Sequence, residues 1–173
     1  MKFETHRLLI RPPLLEDAKD IFNNYAQDVE VTKYLTWKPH KEFQDTVKWI
    51  KKCILDSKTE KSLFFVLSLK EENQTIGMID FRLDDFKASF GYVLAKKYWN
   101  KGFMTEAMKP VLEYVLNKPT IFRIWATHDL ENEASGKVML KLGMTFEGIL
   151  RRSVMHPNIS NEPRDGKYYS LVK

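Results

Sequence analysis

The chain has 173 residues, 43% of them hydrophobic and 13% aromatic, enough for one domain that buries roughly 70% of its unfolded surface without staples. Its single cysteine, Cys53, excludes an intramolecular disulfide and suits a reducing compartment. The net charge is +5, but Lys and Arg are scattered among the acidic residues with no basic arm, RNA-binding aromatic motif or helix-turn-helix signature, which argues against nucleic acid and for a phosphate-bearing small ligand.

No repeat, low-complexity tract or Gly/Ser/Pro linker divides the sequence, so residues 1–173 are expected to form one domain. The opening MKFETHRLLIRPP has no apolar run long enough for a signal peptide, and no later segment reaches the ~18 apolar residues of a membrane span. A cytoplasmic protein without membrane contact is the expectation.

The first predicted element is a short strand over THRLLIR (5–11), stopped by Pro12 and Pro13. Leu15, Ala18, Ile21, Phe22 and Tyr25 then recur at helical spacing and predict an amphipathic helix over roughly 14–27. Phe43, Val47, Ile50 and Ile54 share one face of a second helix around 42–56. The period then changes. SLFFVLSL (62–69), TIGMIDFRL (75–83) and KASFGYVL (87–94) are predicted strands, the first two separated by the polar turn KEENQ (70–74). A helix over 105–117, a strand IFRIWAT (121–127) and a helix over 133–142 follow, the last ending at Gly143, where left-handed caps occur. Strands near 145–156 and 167–172, joined by PNISNEPRD, close the chain. The order β-α-α-β-β-β-α-β-α-β-β predicts an α+β fold, not a doubly wound sheet.

The strand-to-helix junction at 98–106, YWNKGFMTE, carries the main chemical signal. A helix N-terminus leaves about four amides without partners at the positive end of its dipole. Gly102 lets a ligand approach the backbone closely, Asn100 tolerates positive φ, and Lys101 adds a mobile charge, so the loop suits a phosphate. The alternative is a tight turn with Trp99 packed on the core. Neither G-x-G-x-x-G nor G-x-x-x-x-G-K-[ST] is present.

Three stretches taken together, GYVLAKKYWNKGFMTEAM, RIWATHDLENEASGKVMLKLGMTFEG and the closing DGKYYSLV, resemble the GNAT acetyltransferase superfamily, and within it the ribosomal-protein-alanine N-acetyltransferase-like branch. The resemblance runs from RLLIRP to the final strand and is densest over 91–148. It implies a mixed, mostly antiparallel twisted sheet with helices on both faces. It also implies acetyl-CoA as cosubstrate, no metal, and direct transfer of the acetyl group to a primary amine in a ternary complex. The acceptor is either a protein N-terminal α-amine or a small-molecule amine, and the protein a monomer or homodimer. Trp99, Gly102 and Met104 fall on the defined positions of the family's pyrophosphate loop, Q/R-x-x-G-x-G/A, with Trp99 and Met104 departing from it and Asn100 standing where glycine is frequent. These departures leave a second reading open, a non-catalytic CoA-binding module.

On the same resemblance the cofactor loop is Trp99, Asn100, Lys101, Gly102, Phe103, Met104 and Thr105, and main-chain groups around Val93 and Leu94 pair with pantetheine in a gap between strands 87–94 and 121–127. Asn132 and Ser135 match the N-x-x-S pattern after the second splayed strand. Asn132 then contacts pantetheine or orders the loop, and Ser135 donates a proton to the departing thiolate. Both residue types are also good helix caps. Lys137, and Lys141 one turn on, are candidates for the adenosine 3′-phosphate, with a solvated helix face as the plain alternative. Candidate bases are Asp80, mid-strand on the face of Met78, then His128, Asp129 and Glu147. Trp37, Trp49 and segment 29–40 border the acceptor side by fold analogy. Tyr168 and Tyr169 read as strand packing, with one of them a candidate for the acceptor pocket.

Overall fold

The alternating apolar segments build the middle of the molecule, as one sheet. In the computed structural model, which describes residues 1–59 and 61–173, the strands are β1 (Phe3–Glu4), β2 (Leu8–Arg11), β3 (Ser62–Leu69), β4 (Thr75–Asp84), β5 (Lys87–Leu94), β6 (Arg123–Asp129), β7 (Thr145–Val154) and β8 (Arg164–Val172). They form an 8-stranded sheet in the order β1-β2-β3-β4-β5-β6-β8-β7. Every neighbouring pair is antiparallel except β5 and β6. This is the mixed α+β architecture expected from the sequence.

The helices are α1 (Asp17–Ile21), α2 (Val29–Thr32), α3 (Phe43–Asp56), α4 (Phe103–Leu116) and α5 (Glu133–Lys141). The predicted helix over 14–27 is shorter because Asp17 is drawn inward. Its carboxylate accepts from Arg11, from the Leu14 amide at 2.7 Å and from Thr75 Oγ1 at 2.7 Å. After Ile21 the chain widens into a π-helical turn over Phe22–Ala26. α2 escaped the periodicity because it is a single turn. Asp28 starts it by accepting from the amides of Glu30 and Val31 at 2.8 and 3.2 Å. The start of α3 is fixed by a capping box between Glu42 and Asp45.

The first strand is also interrupted. Thr5 Oγ1 accepts the Leu8 amide at 3.1 Å, turning the chain between β1 and β2. α4 begins at Phe103, two residues before its predicted start, and buries Phe103, Met104, Ala107, Met108, Val111, Leu112 and Val115. Burying each large side chain of that face contributes about 1.5–3 kcal/mol, which holds the N-terminus of α4 rigidly against the sheet.

The feature that positions the site is the junction of β5 and β6. Their parallel pairing is confined to Lys87–Ser89 against Arg123–Trp125. β4 follows β5 from Lys87 to Leu94, and β8 follows β6 from Arg123 to Asp129. Each strand is therefore anchored on its outer side and parts from the other on its inner side.

Candidate active site

The parting strands open into a cleft of about 1160 Å³. At one end lies the β5–α4 junction. Asn100 and Gly102 both have positive φ, at 59° and 79°, the conformation that asparagine and glycine tolerate best. This pair of turns aims the first turn of α4 into the cleft. The amides of Phe103, Met104 and Thr105 have no acceptor among the described residues, and the first amide bonded back is Glu106, to Gly102 O at 3.0 Å. Lys137 and Lys141 on α5 line the same cleft beside Gly102 and Thr105.

The junction is held by a device without a sequence signature. Glu106 accepts from Thr5 Oγ1 at 2.6 Å, from the Arg7 amide at 2.9 Å and from Arg7 Nε at 2.7 Å. Burial opposes the charge on Glu106, but these donors outweigh it and hold the carboxyl below its ordinary value. Arg7 also donates to Lys101 O at 3.0 Å and lies 3.8 Å over the Phe103 ring. Trp99 donates from Nε1 to Leu94 O at 2.6 Å, so the residue at the first loop position braces the loop against β5.

Strand pairing decides which main-chain groups of β5 face the gap. Phe86 O accepts from Phe122 and Ala95 N donates to Ile76 O. Because main-chain groups alternate sides along a strand, Tyr92 and Leu94 present theirs to the gap, whereas Val93 turns its amide and carbonyl toward β4. Val93 contributes its side chain to the cleft wall instead.

Across the gap, Asn132 caps α5, its Oδ1 accepting the Ser135 amide at 3.4 Å. Ser135 is free of that duty. Its hydroxyl meets Tyr92 Oη at 2.7 Å, and Tyr92 also donates to Ser135 O at 3.2 Å. Burial pushes the Tyr92 phenol up to about 12, with the Ser135 contact opposing. Tyr92 therefore stays protonated and holds the Ser135 hydroxyl in place. The pair bridges β5 and α5 in the middle of the cleft.

The far end is aromatic. Trp37, Trp49 and Phe64 line it with Tyr34, Phe90 and Asp80. Asp80 lies opposite Phe64 on β3 and Gly91 on β5. A side chain at Gly91 would come within 2.8 Å of the Asp80 carboxylate, so glycine there leaves it room. Asp80 is about a quarter exposed and touches Arg82, yet burial raises its carboxyl above the ordinary range despite that neighbour. It is a stronger base than a surface aspartate.

The other candidate bases divide differently. Asp129 is fully buried and spent on Arg164 and the Glu131 amide. Although burial alone would raise it, those donors bring its carboxyl below the ordinary value. Glu147 pairs with Arg123 and accepts from Ser170, outside the cleft. His128 is in β6, not on a surface loop. Its ring stacks on Tyr169 at 5.4 Å, and Nδ1 lies 2.7 Å from Asp129 O.

The profile of the acetyltransferase (GNAT) domain family matches residues 7–145. The chain belongs to this family. As a GNAT N-acetyltransferase it has a relative in Bacillus licheniformis, the uncharacterized N-acetyltransferase p20, which is 33% identical over 153 residues, 85% of this chain and 84% of that protein. The [ribosomal protein uS5]-alanine N-acetyltransferase of Escherichia coli is 26% identical over 157 residues, 86% of this chain and 80% of that one. A solved GNAT acetyltransferase from Bacillus anthracis superposes with a TM-score of 0.85 at 31% identity, covering 99% of this chain and 98% of that one. The same fold occurs in the microcin C7 self-immunity acetyltransferase MccE, solved with acetyl-CoA and AMP, with a TM-score of 0.87 at 23% identity over 98% of this chain and 94% of that one.

Reading the GNAT sequence by itself misses Tyr92, the Glu106 staple and His156. Tyr92 sits in a strand where it looks like packing. His156 lies past β7, is 6% exposed and lines the cleft with neither ring nitrogen hydrogen-bonded among the described residues. Burial lowers its pKa, so the neutral ring is favoured.

Proposed function

We propose that this N-acetyltransferase binds acetyl-CoA across the β5–β6 gap and passes the acetyl group directly to a primary amine held at the aromatic end. The observation that carries this reading is the coincidence of three unpartnered amides, at Phe103, Met104 and Thr105, with the one parallel strand pair that comes apart. Amides bonded to a charged phosphate contribute about 1.5–3 kcal/mol each, so three anchor a pyrophosphate, with Lys101, Lys137 and Lys141 available to the remaining phosphate charge. Pantetheine then runs along the inner edge of β5 and takes up the main-chain groups of Tyr92, the Leu94 carbonyl being held by Trp99 Nε1. The Leu94 amide polarises the thioester carbonyl as negative charge develops on its oxygen. A protein of the same fold solved with acetyl-CoA supports acetyl-CoA as the cosubstrate.

The chemistry needs a neutral amine and a stabilised thiolate. At pH 7 an α-amine (pKa ~7.7–8.0) costs about 1 kcal/mol to deprotonate, whereas a lysine-like amine (pKa ~10.4) costs about 4.6 kcal/mol. Asp80, raised by burial, takes that proton. The amine attacks the thioester carbon, the C–S bond breaks, and the leaving thiolate takes a proton through the Ser135 hydroxyl. That hydroxyl is held by Tyr92 and regains its proton from solvent in the open cleft. Asn132 acts as a positioning residue by fixing the first turn of α5.

Direct transfer predicts intersecting initial-velocity lines when acetyl-CoA and amine are varied together, and no acetylated protein when acetyl-CoA is supplied alone. Parallel lines with a trapped acetyl-enzyme would overturn the ternary complex.

A further inference from the structure

The acceptor end of the cleft is specific enough to name a class of amine, and this inference rests on the acetyl-transfer reading above. Trp37, His40 and Trp49 form a triangle of rings with centroids 5.0–6.0 Å apart. His40 is held by Thr46 Oγ1 at 2.7 Å from its Nδ1, which fixes the ring against which both indoles pack. Trp37 and Trp49 line the cleft together with Phe64. Phe64 faces Asp80 directly across the β3–β4 ladder, and such cross-strand neighbours have Cβ atoms ~4.5–5.5 Å apart. One carboxylate is thereby set beside a flat apolar wall.

The charges around this end leave little for a second cation. Glu30 pairs with Lys96 and Glu131 with Arg164, and Glu133, also on the cleft wall, sits in the first turn of α5 beside Asn132 and Ser135, away from the aromatic rings. A polyamine, with cations spaced along a chain, needs several uncommitted carboxylates. Beside the aromatic wall the carboxylate is Asp80 alone, whose partner Arg82 is largely exposed, so it offers one ammonium site shared with that arginine, and the surrounding aromatic faces add cation–π attraction close to it.

The wall that carries Trp37 is closed on one side. Asn158, in the β7–β8 connection, donates from Nδ2 to Thr32 O at 2.7 Å and to Trp37 O at 2.8 Å. Tyr34 meets His156 edge-on at 6.1 Å. These contacts tie segment 32–37 to the connection after β7, so the wall that carries Trp37 is closed on that side. A protein N-terminus continues as a chain beyond its α-amine and would have to leave by another side of the cleft, whereas a small amine needs no such path.

We infer that the acceptor is a small monoamine carrying a flat apolar or aromatic group, which stacks on Trp37 and Trp49 and sets its nitrogen at Asp80. The test is release of CoA thiol by the wild-type protein with three acceptors: 2-phenylethylamine, spermidine and an alanine-initiated hexapeptide. The expected kcat/KM for 2-phenylethylamine exceeds that of either competitor at least about a hundredfold, a ratio within reach of aromatic and charge recognition together. Trp49→Leu and Phe64→Leu should each raise KM for the arylalkylamine about tenfold, with CoA affinity by calorimetry unchanged. Phe64→Leu keeps the strand apolar, so a fold lost in one variant does not silence the test.

Faster turnover of spermidine or of the peptide overturns the inference while leaving acetyl transfer intact. An unchanged KM in both variants does the same. Absence of thiol release with all three amines overturns acetyl transfer and the inference together.

Discussion

Replacing Ser135 with alanine separates its chemical contribution from its structural one. The hydroxyl meets Tyr92 Oη at 2.7 Å, and Tyr92 keeps the Ser135 carbonyl at 3.2 Å when Oγ is gone. Losing one neutral hydrogen bond while its partner stays satisfied costs about 1 kcal/mol, or about 2–4 °C in Tm at this chain length. The catalytic cost is bounded by the leaving group. A thiol pKa of ~8.5 lies about 1.5 units above pH 7, so protonating the thiolate is worth about 2 kcal/mol, and a proton donor in the transition state gains no more than that. The expected fall in kcat at pH 7 is therefore about ten- to thirtyfold. The deficit should shrink as pH rises past ~8.5, where the thiolate departs unaided. Steady-state thiol release by Ser135→Ala, measured across that range with CoA affinity checked by calorimetry, tests both parts. A loss beyond about a hundredfold, which exceeds the ~2 kcal/mol that proton donation can supply here, refutes the reasoning, as does a deficit that ignores pH.

Gly102→Ala places a Cβ in ordinary contact with Arg7 Nη2 at 3.7 Å, but at φ +79° it strains the backbone by about 1–2 kcal/mol. Calorimetry should show CoA affinity weaker by about five- to thirtyfold, and an unchanged Kd would remove the loop from the binding site. Gly136→Ala drives a Cβ to 2.7 Å from His128 Nε2 and 3.3 Å from Tyr169 Oη. Such overpacking costs about 1–3 kcal/mol, and a thermal melt should recover most of it in the double variant with His128→Ser. Acid unfolding should reflect Glu147, which Arg123 first and Ser170 second hold down to about 2. A carboxylate with a lowered folded pKa stabilises fully above its unfolded value and loses that contribution as pH falls through the folded one. The melting temperature should thus decline between ~4.5 and ~2, and Arg123→Gln should flatten that decline. A profile unchanged by the substitution would contradict the pairing.

What the sequence makes legible is what local chemistry determines. Strands β3, β4 and β5 announce themselves because their alternation is long and unbroken, and Gly102 because a left-handed turn before a helix needs it. Asn132 shows both of its meanings at once, and the structure assigns the cap to it and frees Ser135. Contacts across long sequence distances stay hidden. Nothing local to Glu106 signals that Thr5 and Arg7 will converge on it, and nothing near Tyr92 points to Ser135. Val93 and Leu94 are neighbours in sequence, but only the pairing with β4 reveals which of them turns its amide toward the gap. His156 is invisible for the same reason, since its place beside Tyr34 and Asp129 depends on how the β7–β8 connection folds back. Asp129 and Glu147 looked available as bases until Arg164 and Arg123 claimed them.

The central claim is that the α4 amides and the inner edge of β5 receive the coenzyme. Residue-resolved amide hydrogen exchange with and without CoA tests it most directly. The account predicts that the amides of Leu94, Phe103, Met104 and Thr105 become protected when CoA binds, with β7 and α3 unaffected. Saturating CoA that leaves those four amides exchanging as before, or that protects only distant elements, would contradict it.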